Sequence, residues 1–289
     1  MTEPQTFTYT DPHGVRIAAY RFAAAAPRAV VQIAHGVGEH ARRYDHVAAR
    51  LVEEGYTVYA DDHRGHGETG RRQHDGDLSR LGRLGPGGLR ATEDAVIQLT
   101  ARIRAEQPGL PVAVLGHSWG SLMTQRILDR APRTWDAVVL SGSAYRTPRH
   151  LNSGHFNKRW DAPGATGFEW LSREPAVAAA FAADELCFDA DILALFGPAD
   201  AFRLFGVPAR GLSPEVPILI TSGSEDPLAL GDSLARLARA YQERGVRDVT
   251  LRTYPGARHE IVNETNRDEV IGDVIDWLNA RLPRTLSNH

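Results

Sequence analysis

One ten-residue stretch, VAVLGHSWGS at positions 112–121, restricts the fold of this chain more than any other. It begins as an apolar, β-branched run typical of a buried strand and leads into a helix predicted over Ser121 to Asp129. Between the two lies Gly116-x-Ser118-x-Gly120. A sharp strand-to-helix turn needs glycine on both sides of its central residue, because larger side chains would collide with the strand and the helix. The stretch therefore predicts that the Ser118 hydroxyl stands clear of a sheet edge, at the positive end of a helix.

Apolar and amphipathic segments alternate along most of the chain. Strands are predicted at 6–9, 15–20, 29–34, 56–60, 111–115, 137–140, 217–221 and 248–254, with a DPHG turn between the first two and helices at 44–54, 89–105, 121–129, 230–241 and 267–279. DDHRGHGETG, at 61–70, is predicted to be loop. Since most of these strands are apolar throughout, we expect a mostly parallel, doubly wound α/β sheet with helices on both faces.

The alternation breaks between residues 144 and 212, a segment rich in Pro, Gly, Phe and Trp. We predict a mostly helical cap over 144–212, inserted into a core made of 1–143 and 213–289. Its aromatic residues fit either a cover over a lipid-like substrate or a small core of the cap itself, and both interpretations stay open. Apolar groups around Leu193 and Phe202 could contact a membrane surface transiently, although few positive charges lie nearby.

A serine hydroxyl becomes a good nucleophile only when a base removes its proton. Among 12 histidines, His259 follows the last predicted strand and therefore lies at the same sheet edge as Ser118. Asp226 follows the strand at 217–221 and is the predicted carboxylate that orients the imidazole. Glu225 is its immediate rival. For each of these residues, the alternative is an ordinary polar loop position.

Acyl transfer also needs N–H donors for the negative charge that develops on the carbonyl oxygen. The backbone N–H of Trp119, directly after Ser118, is one predicted donor. The glycine-rich loop HGVGEH at 35–40 follows the strand at 29–34 and is predicted to supply the other, from Val37. An unrelated tight turn is the alternative for this loop.

Composition excludes several other classes of function. A formal net charge of −3 gives no electrostatic basis for binding nucleic acid. The single cysteine, Cys187, cannot form an intramolecular disulfide, and no secretory signal or membrane-spanning run is evident, so we expect a cytoplasmic protein. Asp61, Asp62, His63 and His66 are of metal-ligand type, but we favour a tight connection packed near the active-site loops over a metal site, and no metal or organic cofactor is predicted.

The motifs HGVGEHARRY, DHRGHG, GHSWGS, SGSEDPL and YPGARHEIVNE together resemble the monoacylglycerol lipase and lysophospholipase branch of the α/β-hydrolases. The resemblance covers about 29–282 except most of the cap. It implies an α/β-hydrolase fold, a triad of Ser118, Asp226 and His259, oxyanion donors on Val37 and Trp119, and a lid that matches the cap. Relatives often carry a smaller or more flexible residue at position 119, so Trp119 could narrow the acyl channel.

We therefore expect a serine hydrolase that cleaves carboxylic esters with an acyl chain through an acyl-enzyme, with a monoacylglycerol as the leading substrate. The small-molecule ester or lipid would be its partner, and the sequence leaves the oligomeric state open. The same triad could act on lysophospholipids, amides or peptides, or transfer the acyl group to another alcohol. A ligand-binding module without catalysis is the remaining alternative, because fold alone does not establish activity.

Overall fold

The computed structural model describes residues 3–282 and contains one eight-stranded sheet in the order β1-β2-β4-β3-β5-β6-β7-β8. The strands are β1 Gln5–Thr10, β2 Arg16–Phe22, β3 Ala29–Ala34, β4 Tyr56–Asp61, β5 Val112–His117, β6 Ala137–Ser141, β7 Ile218–Gly223 and β8 Val249–Tyr254. The neighbouring pairs from β4 to β8 are parallel. Strand β2 pairs antiparallel with both β1 and β4, and Asp11 closes the β1–β2 turn by accepting the N–H groups of His13 and Val15.

In the described part of the chain, eight α-helices connect or flank the strands. They are α1 Asp45–Glu53, α2 Gly67–Gln73, α3 Gly88–Glu106, α4 Trp119–Arg130, α5 Pro175–Ala183, α6 Ile192–Arg203, α7 Ser233–Glu243 and α8 Arg267–Arg281. Short 3₁₀ helices lie at Ala41–Tyr44, Leu78–Arg80, Phe156–Arg159, Glu169–Leu171 and Ile261–Asn263.

The sheet separates two hydrophobic clusters because successive side chains of a strand point to opposite faces. Val31 and Ile33 pack with α1 and α8 on one face, whereas Val30 packs with α3, α4 and α7 on the other. Every residue of β3 to β7 is buried. The predicted parallel sheet with helices on both faces is therefore confirmed, and its register brings the carboxyl ends of β5, β6, β7 and β8 to one edge.

Between β6 and β7, the chain departs from the sheet and forms two 3₁₀ helices together with α5 and α6. Helix α6 is kinked at Gly197, just before Pro198. This segment contains the predicted cap, 144–212, and is mostly turns and short helices. The predicted core boundaries extend to both chain ends, of which 1–2 and 283–289 lie outside the described residues.

One predicted loop proved wrong in part: residues 67–73 of the segment after β4 form α2. The Asp62 carboxylate accepts the N–H of Glu68 in its first turn at 2.8 Å, and Thr69 accepts the N–H of Ala18 in β2 at 2.8 Å. Tertiary contacts thus stabilise a helix that two glycines disfavour. Within residues 3–282, no helix combines the length and apolarity needed to cross a bilayer.

Candidate active site

Ser118 occupies the turn between β5 and α4 with φ 53° and ψ −122°. A non-glycine residue with positive φ costs about 1–3 kcal/mol and persists only where its surroundings impose it. Here the Ser118 N–H donates to Ser141 O at the end of β6 (2.9 Å), and the Ser118 carbonyl accepts N–H groups from Ser121 and Leu122 in the first turn of α4. The serine is partly exposed, and its hydroxyl makes no hydrogen bond within the described part of the chain.

The two flanking glycines are required by close approach. A Cβ on Gly120 would collide with the carbonyl oxygens of Ala34 and His35, at the end of β3. A Cβ on Gly116 would lie 2.6 Å from Thr124 Oγ1 and 2.8 Å from Gly120 O. Because the obstacles are mainly backbone atoms, they cannot move aside cheaply. The steric reason that the sequence pattern implied is therefore present in the packing.

His259 and Asp226 meet at the same edge of the sheet. His259 Nδ1 lies 2.9 Å from Asp226 Oδ1, and the two residues are 1% and 6% exposed. Asp226 also accepts the hydroxyl of Ser222 at 2.6 Å and the N–H of Leu228 at 2.9 Å. These bonds fix the carboxylate, which in turn places the proton of a neutral imidazole on Nδ1 and leaves Nε2 free to act as a base.

The charges around His259 and Asp226 favour the protonated form of His259. Burial by itself lowers the pKa of His259, but the Asp226 carboxylate, with Glu260 and Glu39, outweighs burial and raises that pKa above 6.5. Burial by itself would raise the pKa of Asp226. The neighbouring His259 and the two hydrogen bonds from Ser222 and Leu228 outweigh burial, so this pKa lies below its usual value. The carboxylate therefore stays ionised beside the imidazole.

Glu225, the rival carboxylate, points elsewhere. Its side chain pairs with Arg159 at 2.9 Å and is about one-third exposed. Of the two adjacent acids, only Asp226 contacts His259.

The 35–40 loop packs directly against the Ser118 turn. A Cβ on Gly36 would lie 3.0 Å from Ser118 Cβ.

The Gly36 carbonyl contacts His35 Nδ1 at 2.7 Å, and His35 Nε2 accepts the N–H of His63 at 2.9 Å, so Nδ1 carries the proton. Since a trans peptide directs its C=O and N–H oppositely, this bond turns the Val37 N–H away from His35. Neither the Val37 N–H nor the Trp119 N–H has an acceptor within residues 3–282.

The His259 ring lies beside the residue that precedes Ser118, with its centroid 4.7 Å from that of His117. A Cβ on Gly142, just after β6, would lie 3.0 Å from His259 Cε1 and 2.9 Å from His117 Cε1. The His117 ring nitrogen Nδ1 lies 3.3 Å from Ser141 Oγ, at the end of β6. Contacts between nucleophile and base are often long without substrate and tighten only when it binds.

The Trp119 ring fills space between the core and the 144–212 segment. It is 2% exposed, stacks on His66 with centroids 5.1 Å apart, and lies 5.1 Å from Phe196 in α6. Its indole Nε1 has no hydrogen-bond partner within residues 3–282. The ring therefore packs against α6 from the residue that directly follows Ser118.

Three charged residues near this site were not assigned a role from the sequence. Glu39, Arg43 and Glu260 form a buried cluster between the 35–40 loop and the loop that carries His259. All three lie within HGVGEHARRY and YPGARHEIVNE. The four-residue spacing of Glu39 and Arg43 was the one available signal, since it allows an ion pair on a helical turn.

The four residues considered as metal ligands differ in their contacts: the two aspartates accept hydrogen bonds, whereas both ring nitrogens of His63 and Nε2 of His66 have no hydrogen-bond partner within residues 3–282. Asp61 accepts the hydroxyl of Tyr9, and Asp62 accepts the hydroxyl of Tyr20 together with the N–H groups of Ala41 and Glu68. His40, Asp184 and Cys187 form a different group with ligand-type atoms within 4.8 Å of one another. There the His40 ring is bonded to Asp184 at 2.9 Å, and this contact links the 144–212 segment to the 35–40 loop. Burial raises the pKa of the Cys187 thiol.

Comparison with known proteins identifies the family. The family model Hydrolase_4, described as serine aminopeptidase, S33, matches residues 25–266. A monoacylglycerol lipase of Mycolicibacterium smegmatis is 35% identical over 89% of this chain and 90% of its own length. The monoglyceride lipase of Mus musculus is 27% identical over 96% of this chain and 94% of its own length.

A solved structure described as a lipase in an open form superimposes with a TM-score of 0.81 at 28% identity. It covers 97% of this chain and 100% of the other. The family match extends from before β3 to the N-terminal end of α8, and the mycolicibacterial relative is similar over nearly its whole length. The chain therefore belongs to the Hydrolase_4 (serine aminopeptidase, S33) family and has the α/β-hydrolase fold.

Proposed function

We propose that this carboxylic ester hydrolase cleaves monoacylglycerols, with Ser118 as nucleophile, His259 as general base and Asp226 as the carboxylate that orients it. The observation that carries the proposal is the buried 2.9 Å contact between His259 and Asp226, at the sheet edge where Ser118 is held in a strained turn. The substrate class rests on the relatives from Mycolicibacterium smegmatis and Mus musculus, whose names describe lipases for monoacylglycerols and monoglycerides.

The proposed reaction has two half-reactions. Ser118 Oγ attacks the ester carbonyl carbon while His259 Nε2 takes the hydroxyl proton, and the carbonyl oxygen becomes an oxyanion. The Val37 and Trp119 N–H groups donate to that oxyanion. Collapse of the intermediate expels glycerol, which takes the proton from His259. Water then attacks the acyl-enzyme as His259 removes one of its protons, and the fatty acid leaves as Ser118 regains its proton.

Asp226 contributes by stabilising the imidazolium that forms in each half-reaction. Its ionised carboxylate faces Nδ1, so positive charge on His259 is favoured at the moment when Nε2 holds the extra proton. The raised pKa of His259 agrees with this role.

We further propose that the 144–212 segment is a cap over the acyl site. Trp119, Leu122 and Met123 of α4 cluster there with Leu151 and Leu204, and Phe196 packs against them. Leu193 and Phe202 of α6 are 55% and 68% exposed, which fits a transient contact with a lipid surface that delivers substrate. A cytoplasmic location remains our expectation from the sequence.

An amide substrate is the second candidate, because the family model is described as an aminopeptidase. Hydrolysis of lysophospholipids and acyl transfer to another alcohol would use the same residues. The leaving group distinguishes an amide from an ester substrate, since an amine must be protonated by His259 before it departs, whereas an ester alcohol is the easier leaving group. Acyl transfer differs from hydrolysis only in the acceptor, an alcohol in place of water, that attacks the acyl-enzyme.

The test compares wild type with Ser118→Ala on a 1-monoacylglycerol, a lysophospholipid and an amino-acid p-nitroanilide. We expect wild type to favour the monoacylglycerol, and Ser118→Ala to lower kcat by about 10⁴-fold or more. A fluorophosphonate probe should label wild type on Ser118. Near-normal turnover by folded Ser118→Ala would refute the mechanism, and faster cleavage of the anilide would favour a peptidase.

A further inference from the structure

A buried charged cluster lies between the two loops that carry the oxyanion donor Val37 and the base His259. The Arg43 guanidinium lies 2.6 Å from Glu39 Oε2, and it meets both oxygens of Glu260, at 2.5 and 2.8 Å. The Glu39 and Glu260 side chains are each 3% exposed, and that of Arg43 is 12% exposed. Charge-assisted pairs of this kind are short, and a guanidinium that forms a fork with a carboxylate also fixes direction.

Glu39 extends this cluster into the 35–40 loop. Its Oε1 accepts the N–H of Gly36 at 2.5 Å and the hydroxyl of Tyr44 at 2.8 Å. Gly36 precedes Val37 and packs against Ser118 Cβ, with no room for a side chain of its own. The position of the Glu39 carboxylate therefore affects the peptide that presents the Val37 N–H.

Glu260 extends the cluster in the other direction. It follows His259 in the chain, its N–H donates to Leu171 O at 2.7 Å, and its carboxylate accepts from Asn263 at 2.9 Å. On the side of the 144–212 segment, the Phe181 ring of α5 covers the Arg43 guanidinium at 4.8 Å. One guanidinium thus contacts both loops and is shielded by the proposed cap.

We propose that Arg43 is a positioning residue for ester hydrolysis: by joining Glu39 to Glu260, it sets the distance between the oxyanion donors and His259. The inference rests on the proposed function of Ser118, Val37 and His259. Arg43 does not touch the reacting atoms. We therefore expect its substitution to lower kcat and to leave KM nearly unchanged. A misplacement of about 1 Å in such a site costs on the order of 100-fold in rate.

Two conservative variants test this role without removing the side chain. Arg43→Lys keeps the charge but cannot join both carboxylates by a planar fork. Glu260→Gln keeps the shape but loses the ionic bond. Each should lower kcat about 10- to 100-fold with KM within about threefold. The loss should be equal on p-nitrophenyl butyrate and on a 1-monoacylglycerol, since the defect lies at the carbonyl and not at the alcohol.

Glu93→Gln is the matched control. Glu93 in α3 is also fully buried and pairs with Arg126 and Arg130 of α4, outside both loops. This variant should lower the Tm while kcat per folded molecule stays unchanged. In a double-mutant cycle, Glu260→Gln added to Arg43→Lys should cost much less than it does alone, because both changes break the same link.

Measuring the folded fraction of each variant separates a loss of kcat from a loss of folded protein. Arg43→Lys and Glu260→Gln with kcat within twofold of wild type would overturn the inference. So would a loss confined to KM on the glycerol ester, which would indicate recognition of the alcohol. A wild-type chain inactive on both esters would refute the proposed function as well, whereas an active wild type with unaffected variants refutes the positioning role alone.

Discussion

At the scale of single residues, the contact between Asp226 and His259 leads to a specific prediction about how kcat/KM depends on pH. His259 must be neutral to act as a base, and its pKa is raised in part by Asp226, so the acid limb of kcat/KM should have its midpoint above about 6.5. Asp226→Asn removes that charge and lowers the pKa of His259. The midpoint should therefore move to lower pH, while the plateau falls by about 10³- to 10⁴-fold.

The measurement is kcat/KM for an activated p-nitrophenyl ester between about pH 5 and 9. Glu225→Gln provides the matched control, since its carboxylate pairs with Arg159 and should leave both the midpoint and the plateau unchanged. If the midpoint of the acid limb of kcat/KM does not move in Asp226→Asn, the result would contradict the role of Asp226 as the carboxylate that orients His259.

The position of the Trp119 ring leads to a prediction about how kcat/KM depends on the length of the acyl chain. The ring occupies space between His66 and Phe196, and Trp119 directly follows Ser118, the proposed nucleophile. Replacing it with the slimmer and more flexible side chain in Trp119→Met should open that space. Each further methylene that the acyl site accommodates should raise kcat/KM about fourfold, equivalent to about 0.8 kcal/mol.

A p-nitrophenyl ester series of increasing chain length measures this effect in wild type and in Trp119→Met. Trp277→Met in α8, which belongs to a different hydrophobic cluster, serves as control. Identical chain-length profiles for wild type and Trp119→Met would show that the ring does not border the acyl path.

At the scale of elements, the first turn of α3 is capped from a distant part of the chain. Its N-cap residue, Gly87, has no side chain to offer, and Asp200 of α6 accepts the N–H of Leu89 at 2.9 Å instead. This bond also attaches the 144–212 segment to the core.

Asp200→Ala should therefore lower the free energy of unfolding by about 1 kcal/mol, the usual worth of a capping side chain. It should also speed limited proteolysis within 144–212. Asp200→Asn, which retains an acceptor oxygen, should recover most of the loss. An unchanged denaturation midpoint in Asp200→Ala would contradict the capping role.

Prediction of elements from the sequence succeeded where periodicity and composition agreed, as for β3, whose bounds match at both ends. It failed for α2, because Gly67 and Gly70 disfavour a helix locally and the stabilising partners, Asp62 and Ala18, come from neighbouring segments. Local propensity cannot register partners of that kind.

At the scale of the whole molecule, the sheet and the 144–212 segment should differ in local stability. Strands β3 to β7 are buried at every residue, whereas α6 contains one buried residue, Asp200, and α5 contains two. Segments with few buried contacts open at lower free energy than the core does.

Amide hydrogen exchange followed by mass spectrometry should show peptides from 156–205 exchanging first and those from β3, β5, β6 and β7 last. Equal protection of the two sets would contradict a cap that opens independently of the sheet. Asp200→Ala should widen the difference, because it removes a tie between them.

The sequence by itself determined the parallel sheet and the sharp turn at Ser118, because strand composition and the glycines around a strand-to-helix corner act locally. It also placed His259 and Asp226 at the correct edge, since loops after parallel strands share one side. Only the tertiary structure decided that Asp226, and not Glu225, contacts the imidazole, and that Arg43 lies between Glu39 and Glu260. Those choices depend on which side chain points inward and on distances between segments more than 200 residues apart, neither of which a local pattern encodes.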